Sequence, residues 1–185
     1  PNSIEEKWIQ ELADDDSVLV FTETTSNLHH PDFLPGIDKI IAPLDDEGFK
    51  LLQPEVLLTF GGLVVSKKIK AFLRTYKPEH HWHVDLFRAN DTFFCLSKHI
   101  KSSPNTCFNS FLPQVSHHIE SNYKTSWLGV REKRRALHYD YLKTLLFSDF
   151  TAFNSVLKSL PEQSQLQVGN SSAIRYTQLF QLRKD

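Results

Sequence analysis

Apolar residues recur every four positions at Ile4, Trp8 and Leu12, with polar residues between them, so the spacing predicts an amphipathic helix over residues 4–12. Ser3 followed by Glu6 reads as a capping box at its start. The pattern then changes period. Val18 to Phe21 is a short β-rich run of the kind that forms strands buried on both faces, and the polar stretch Thr22 to His30 reads as the loop leaving its carboxyl end. A short helix is expected from Phe33 to Ile41, stopped by Pro43. A second buried strand is expected from Val56 to Phe60, running into Gly61-Gly62.

From Leu63 onward the period returns to helical, with Val65, Ile69, Phe72 and Leu73 on one stripe and Lys67, Lys68, Lys70 and Arg74 mostly off it. Trp82 to Leu86 is a third strand and Lys98 to Lys101 a weaker fourth. Residues 119–146 read as a long helix with a charged middle, Arg131 to Arg135, and an apolar ladder at Leu137, Tyr141 and Leu145. Ser148 caps a further helix bearing Phe150, Phe153, Leu157 and Leu160, closed by Pro161. Strands that alternate with helices, each strand a near-continuous apolar run, predict an α/β fold: a Rossmann-like parallel sheet with helices on both faces.

In such sheets ligands gather at the carboxyl ends of strands. Three stretches fall there: Thr22 to Asn27, Gly61 to Lys68, and Gly169 to Arg175. The last belongs to LQVGNSSAIR, residues 166–175, read as a short buried strand at Leu166 to Val168, a turn at Gly169, and Asn170 and Ser171 capping a helix with Arg175 on its first turn. Ser171 and Arg175, four apart, point the same way, and the helix N-terminus adds unpaired N–H groups, which together suit an anion. Lys67 and Lys68 add charge if the two loops face each other, favouring a dianionic or polycarboxylate ligand.

Composition narrows the function. At 185 residues with 40% apolar content, the chain suits a single domain with a sizeable core. Its most apolar passage, Val56 to Val65, falls far short of the ~20 residues a membrane-spanning helix needs. A net charge of −1, with both signs mixed along the chain, argues against a nucleic-acid binder. The two cysteines, Cys95 and Cys107, form no CxxC pair and are read as reduced thiols, and the start shows no signal-peptide pattern, so a cytoplasmic protein is expected. No methionine occurs and the chain opens at Pro1, as expected of a piece of something longer.

Other motifs carry less. Gly61-Gly62 is half of a dinucleotide fingerprint, without the full G-x-G-x-x-G, and reads as a turn that lets backbone approach closely. His81, His83 and Asp85 share one face of a strand, but nothing else supports a metal, and none is assigned there, at His29-His30 or at His117-His118. Arg131 to Arg135 reads as a solvated basic face or a subunit contact. No nucleophile–base arrangement is legible, so no complete catalytic site is assigned to the chain.

The phrase G-N-S-x-x-x-R after a strand, Gly169 to Arg175, preceded by a helix ending Leu160-Pro161, resembles the thiamine-diphosphate-dependent 2-succinyl-5-enolpyruvyl-6-hydroxy-3-cyclohexene-1-carboxylate synthases of menaquinone biosynthesis. FGGLVVSKK, residues 60–68, is similar to the strand, glycine turn and helix with a basic pair in that family. Arg88 and Asp91 stand where it has an Arg and an Asp after a strand. The resemblance implies that residues 1–162 are the central Rossmann-like domain lacking its first strand, and that 163–185 are the first strand and helix of a C-terminal diphosphate-binding domain. It implies an enzyme that decarboxylates 2-oxoglutarate and adds the succinyl semialdehyde unit to isochorismate, with thiamine diphosphate and Mg2+ as cofactors and a homo-oligomeric parent.

The substrate-binding residues implied are Asn170, Ser171 and Arg175, with Lys68, preceded by Lys67, where some members have Arg. Lysine there replaces a bidentate fork by a point charge. The metal-diphosphate motif and the pyrimidine-binding segment find no match, so this stretch is expected to hold no cofactor and to be inactive alone. The competing expectation is a non-catalytic module of the same fold that takes a nucleotide or a carboxylate effector.

Overall fold

The computed structural model describes residues 4–115 and 119–180. Its centre is a three-stranded parallel sheet in the order β3-β4-β5, formed by Val56–Phe60, His80–Val84 and Leu96–Ile100. Leu58 lies opposite Trp82, and Trp82 opposite Lys98. A second, two-stranded parallel sheet pairs β1 (Phe21–Thr22) with β2 (Leu34–Pro35). The molecule is an α/β, Rossmann-like unit, as the alternation of apolar runs and helical stripes implies.

Helices cover both faces of the large sheet. Helix α4 (Lys67–Thr75) connects β3 to β4 and buries Ile69, Phe72 and Leu73. These join Leu34, Ile37, Ile40, Ile41, Leu52, Phe93 and Trp127 in the main core, against which Leu57 of β3 packs. Strand side chains alternate between faces, so Phe60 points the other way from Leu57. It meets helix α5 (Pro104–Phe111), where the Phe108 ring stands edge-on at 5.4 Å. Phe111 meets Trp82 on that same face at 6.0 Å.

Several expectations need correction. Helix α1 runs Glu6–Asp14, and Ser3, the expected cap, lies outside the described residues. Of the run Val18 to Phe21, only Phe21 enters a strand, and the expected helix from Phe33 is split by Pro35 and Gly36 into β2 and helix α2 (Ile37–Ile41). Proline disfavours the α region for the residue before it, and Gly36 takes a left-handed φ of 69°. Helix α4 begins at Lys67 rather than Leu63 because Ser66 caps it, its hydroxyl accepting from Ile69 N at 3.1 Å. Strand β3 is not buried on both faces: it is an edge strand whose Val56 is 46% exposed.

No strand forms over residues 166–168, where Leu166 and Gln167 are exposed, because neither sheet brings an edge beside this segment to pair with it. The expected strand is therefore replaced by an irregular segment leading to helix α8 (Ser172–Leu179). Residues 181–185 of that expected unit, and His117-His118, lie outside the described residues.

Helix α6 (Tyr123–Thr144) follows the long periodic stretch, but its two halves behave differently. The first half is fastened. Trp127 is buried, the Tyr123 hydroxyl donates to Leu52 O at 2.8 Å, and Lys124 Nζ donates to Ala13 O at 2.6 Å. Arg131 is no solvated charge either, for its guanidinium donates to the carbonyls of Pro31 and Phe33, the latter at 2.8 Å. In the second half Leu137 and Tyr141 of the expected ladder are half exposed or more, while His138 faces inward against Phe150 and Phe180. Helix α7 (Asp149–Lys158) starts on the expected Ser148 cap, with Thr151 completing a capping box.

His138 supplies a pH dependence. Burial, then the Lys39 charge, pushes its pKa down to about 4. Burial likewise lowers those of His81 and His83. The folded state then binds fewer protons than the unfolded chain between the unperturbed value, 6.5, and about 4, so unfolding takes up protons in that window. This contribution to stability is fully present above 6.5 and is lost as pH falls. The thermal midpoint should drop between about pH 7 and about pH 5, and His138→Phe should flatten the drop. An unchanged slope in that variant would refute the assignment to His138.

Candidate functional site

One cleft gathers parts of the three stretches. Thr22 ends β1 and Glu23 follows it, Gly36, Ile37 and Asp38 lie at the start of α2, Ser66 caps α4, and Arg175 and Gln178 come from α8. Strand ends and helix starts meet here, as at the edge of a parallel fold, and α8 adds its side chains with no strand before it.

The electrostatics differ from the expected cationic seat. The Glu23 carboxylate accepts from Val65 N at 2.6 Å and Ser66 N at 2.8 Å, one oxygen to each. It sits just before the amino end of α4, on the cap residue and its predecessor, where the helix dipole favours negative charge. The Ser66 hydroxyl also donates to Asp38. Arg175, partly buried in the same cleft, has no hydrogen bond or ion pair among the described residues. Among the described residues the cleft therefore holds one guanidinium with no partner and two carboxylates, both engaged in the network at the start of α4.

The five residues expected to bind substrate are not all gathered here. Arg175 lines the cleft; Asn170, Ser171, Lys67 and Lys68 do not. Asn170 and Ser171 are exposed at the turn before α8, where Ser171 N donates to Asn170 Oδ1 at 2.7 Å. Ser171 stands at the N-cap position with a φ of 78°, and its side chain makes no capping bond, contrary to expectation. Lys67 and Lys68 are exposed on the first turn of α4, next to Ser66. Gly61 has a φ of 85°, yet a Cβ added there or at Gly62 would meet nothing within 4 Å. These glycines serve the turn rather than a close backbone approach.

On the sheet, Thr59 Oγ1 lies 2.8 Å from His81 Nε2 and 2.9 Å from His83 Nδ1, so one hydroxyl joins both rings. Asp85 turns instead to Phe87 N and Arg88 N, which hold its pKa below the usual carboxylate range. The two histidines thus share the Thr59 hydroxyl while Asp85 turns away from them, and among the described residues no three His, Cys, Asp or Glu groups converge on a point suited to a metal ion. Cys95 and Cys107 are free thiols, both pushed up in pKa by burial. Asp91 accepts from Cys95 N and Leu96 N, a local turn role.

Sequence reasoning missed Glu23 and Asp38 as parts of the site. Glu23 directly follows a strand end, and that position was the one available signal. Its partners lie 42 and 43 residues away.

No family model matches the chain. Curated relatives do. A 2-succinyl-5-enolpyruvyl-6-hydroxy-3-cyclohexene-1-carboxylate synthase from Flavobacterium johnsoniae is 51% identical over 98% of this chain, and one from Flavobacterium psychrophilum is 50% identical over 98%. A synthase of the same name from Christiangramia forsetii is 47% identical over 100%. The chain spans about a third of the length of these relatives, between 32% and 33%. Along nearly its whole length, the chain is a homologue of one segment, about a third, of the 2-succinyl-5-enolpyruvyl-6-hydroxy-3-cyclohexene-1-carboxylate synthases.

Proposed function

We propose that this chain acts as the central domain of a thiamine-diphosphate-dependent synthase in menaquinone biosynthesis, which decarboxylates 2-oxoglutarate and joins the four-carbon unit to isochorismate. The observation that carries the reading is the identity of about half the residues with synthases of that name. When bound, thiamine diphosphate supplies the nucleophilic carbon and the electron sink for loss of carbon dioxide. We assign the cofactor site to the remainder of the parent, because no stretch of this sequence resembles the metal-diphosphate motif of the family.

The work left to this chain is substrate binding. Arg175, which lines the cleft and has no partner among the described residues, suits a bidentate contact with a substrate carboxylate. Asn170 and Ser171, one turn earlier at the exposed start of α8, would donate to substrate oxygens, while Lys67 and Lys68 contribute positive potential from α4. Glu23 weighs against the competing nucleotide reading. In a doubly wound sheet a nucleotide phosphate sits on a helix amino end, and here the Glu23 carboxylate, accepting from Val65 N and from the cap residue Ser66 N, sets a negative charge beside that end of α4. Carboligation of 2-oxoglutarate with isochorismate by the full-length protein tests the proposal.

A further inference from the structure

We propose that Lys39 is a positioning residue for Arg175: it fastens the carboxyl end of α8 to α2 and so sets where the Arg175 guanidinium lies in the cleft. This rests on the substrate role proposed above for Arg175. Lys39 Nζ donates to Leu179 O at 2.7 Å. Leu179 is the last residue of α8 and lies four residues after Arg175, on the same side of the helix. The final carbonyls of a helix have no partner within it and carry the negative end of its dipole, so an ammonium group is a favourable clamp there.

A steric contact sits beside this electrostatic one. Gly36, at the start of α2, has a φ of +69°, and a Cβ there would come within 2.8 Å of Lys39 Cε and 3.2 Å of Gln178 O. The backbones of α2 and α8 thus approach with no room for a side chain, at the residue next to the one Lys39 holds. The other end of α8 is looser, since Ser171 makes no side-chain cap bond. Its outer side is pressed by Phe150 and Phe153 of α7, whose rings lie 5.4 and 5.5 Å from Tyr176. Loss of the clamp should therefore leave α8 docked on α7 but change its tilt, carrying Arg175 out of register with a bound carboxylate.

Steady-state kinetics on the full-length synthase bearing Lys39→Met, Lys39→Arg and Arg175→Ala test this, with 2-oxoglutarate and isochorismate varied in turn. Lys39→Met should raise KM about tenfold for the same substrate whose KM rises in Arg175→Ala, with kcat within about twofold of wild type. Lys39→Arg, which keeps a cationic donor, should restore most of the affinity. A wild-type KM in Lys39→Met alongside a raised KM in Arg175→Ala would overturn the inference. So would a joint loss of kcat and thermal stability that Lys39→Arg does not rescue, for that is a purely structural role. If Arg175→Ala itself leaves kcat/KM unchanged, the substrate reading of Arg175 fails and the positioning role falls with it.

Discussion

Replacing Arg175 by Ala in the full-length synthase is expected to lower kcat/KM for a carboxylate substrate about a hundredfold while shifting the thermal midpoint by no more than about 2 °C. The two expectations have one origin. Arg175 is partly buried in the cleft but makes no hydrogen bond or ion pair among the described residues, so its removal strands no buried partner. The binding energy of the guanidinium is then available to a ligand rather than spent within the fold. Turnover unaffected by the change would show that the cleft is not a substrate wall, and a collapse in stability would show Arg175 to be structural.

Phe108→Ala should destabilise the chain by about 3–5 kcal/mol, the range for emptying a buried aromatic site. Phe108 has 0% exposure and joins α5 to the large sheet, standing edge-on to Phe60. The edge strand β3 would lose the ring that stands against Phe60. Urea denaturation of the 185-residue chain measures the change. A loss below about 1 kcal/mol would mean that α5 does not close the second face of the sheet.

The parts of the fold legible in the sequence are those fixed by local pattern. Val56 to Phe60, the stripe of Ile69, Phe72 and Leu73, and the Ser148 cap each declare themselves within a few residues, and each stands close to where the pattern places it. Two of the three stretches expected at the cleft reach it from where the pattern places them, Glu23 after β1 and Ser66 at the start of α4, whereas Arg175 arrives on α8 with no strand before it. Pairing partners were not. Phe21–Thr22 and Leu34–Pro35 form two-residue strands only because each finds the other, whereas the apolar-flanked Leu166 to Val168 finds no edge and stays irregular.

Charge placement was the least legible feature. Lys67 and Lys68, which the family resemblance rather than their helical spacing puts in the site, are exposed, and two carboxylates from distant parts of the chain, Glu23 and Asp38, line the cleft with Arg175. Helix periodicity says which face is polar but not what crosses over to meet it. Arg131 shows the same limit: in a run of charges, REKRR, its guanidinium is committed to two backbone carbonyls that no local pattern reveals.

The most direct test of the account is a carboligation assay with 2-oxoglutarate, isochorismate, thiamine diphosphate and Mg2+, run side by side on the full-length protein and on the 185-residue chain. Product formation by the full-length protein and none by the chain alone is the predicted result. Turnover by the isolated chain, or none by the full-length protein, would contradict it.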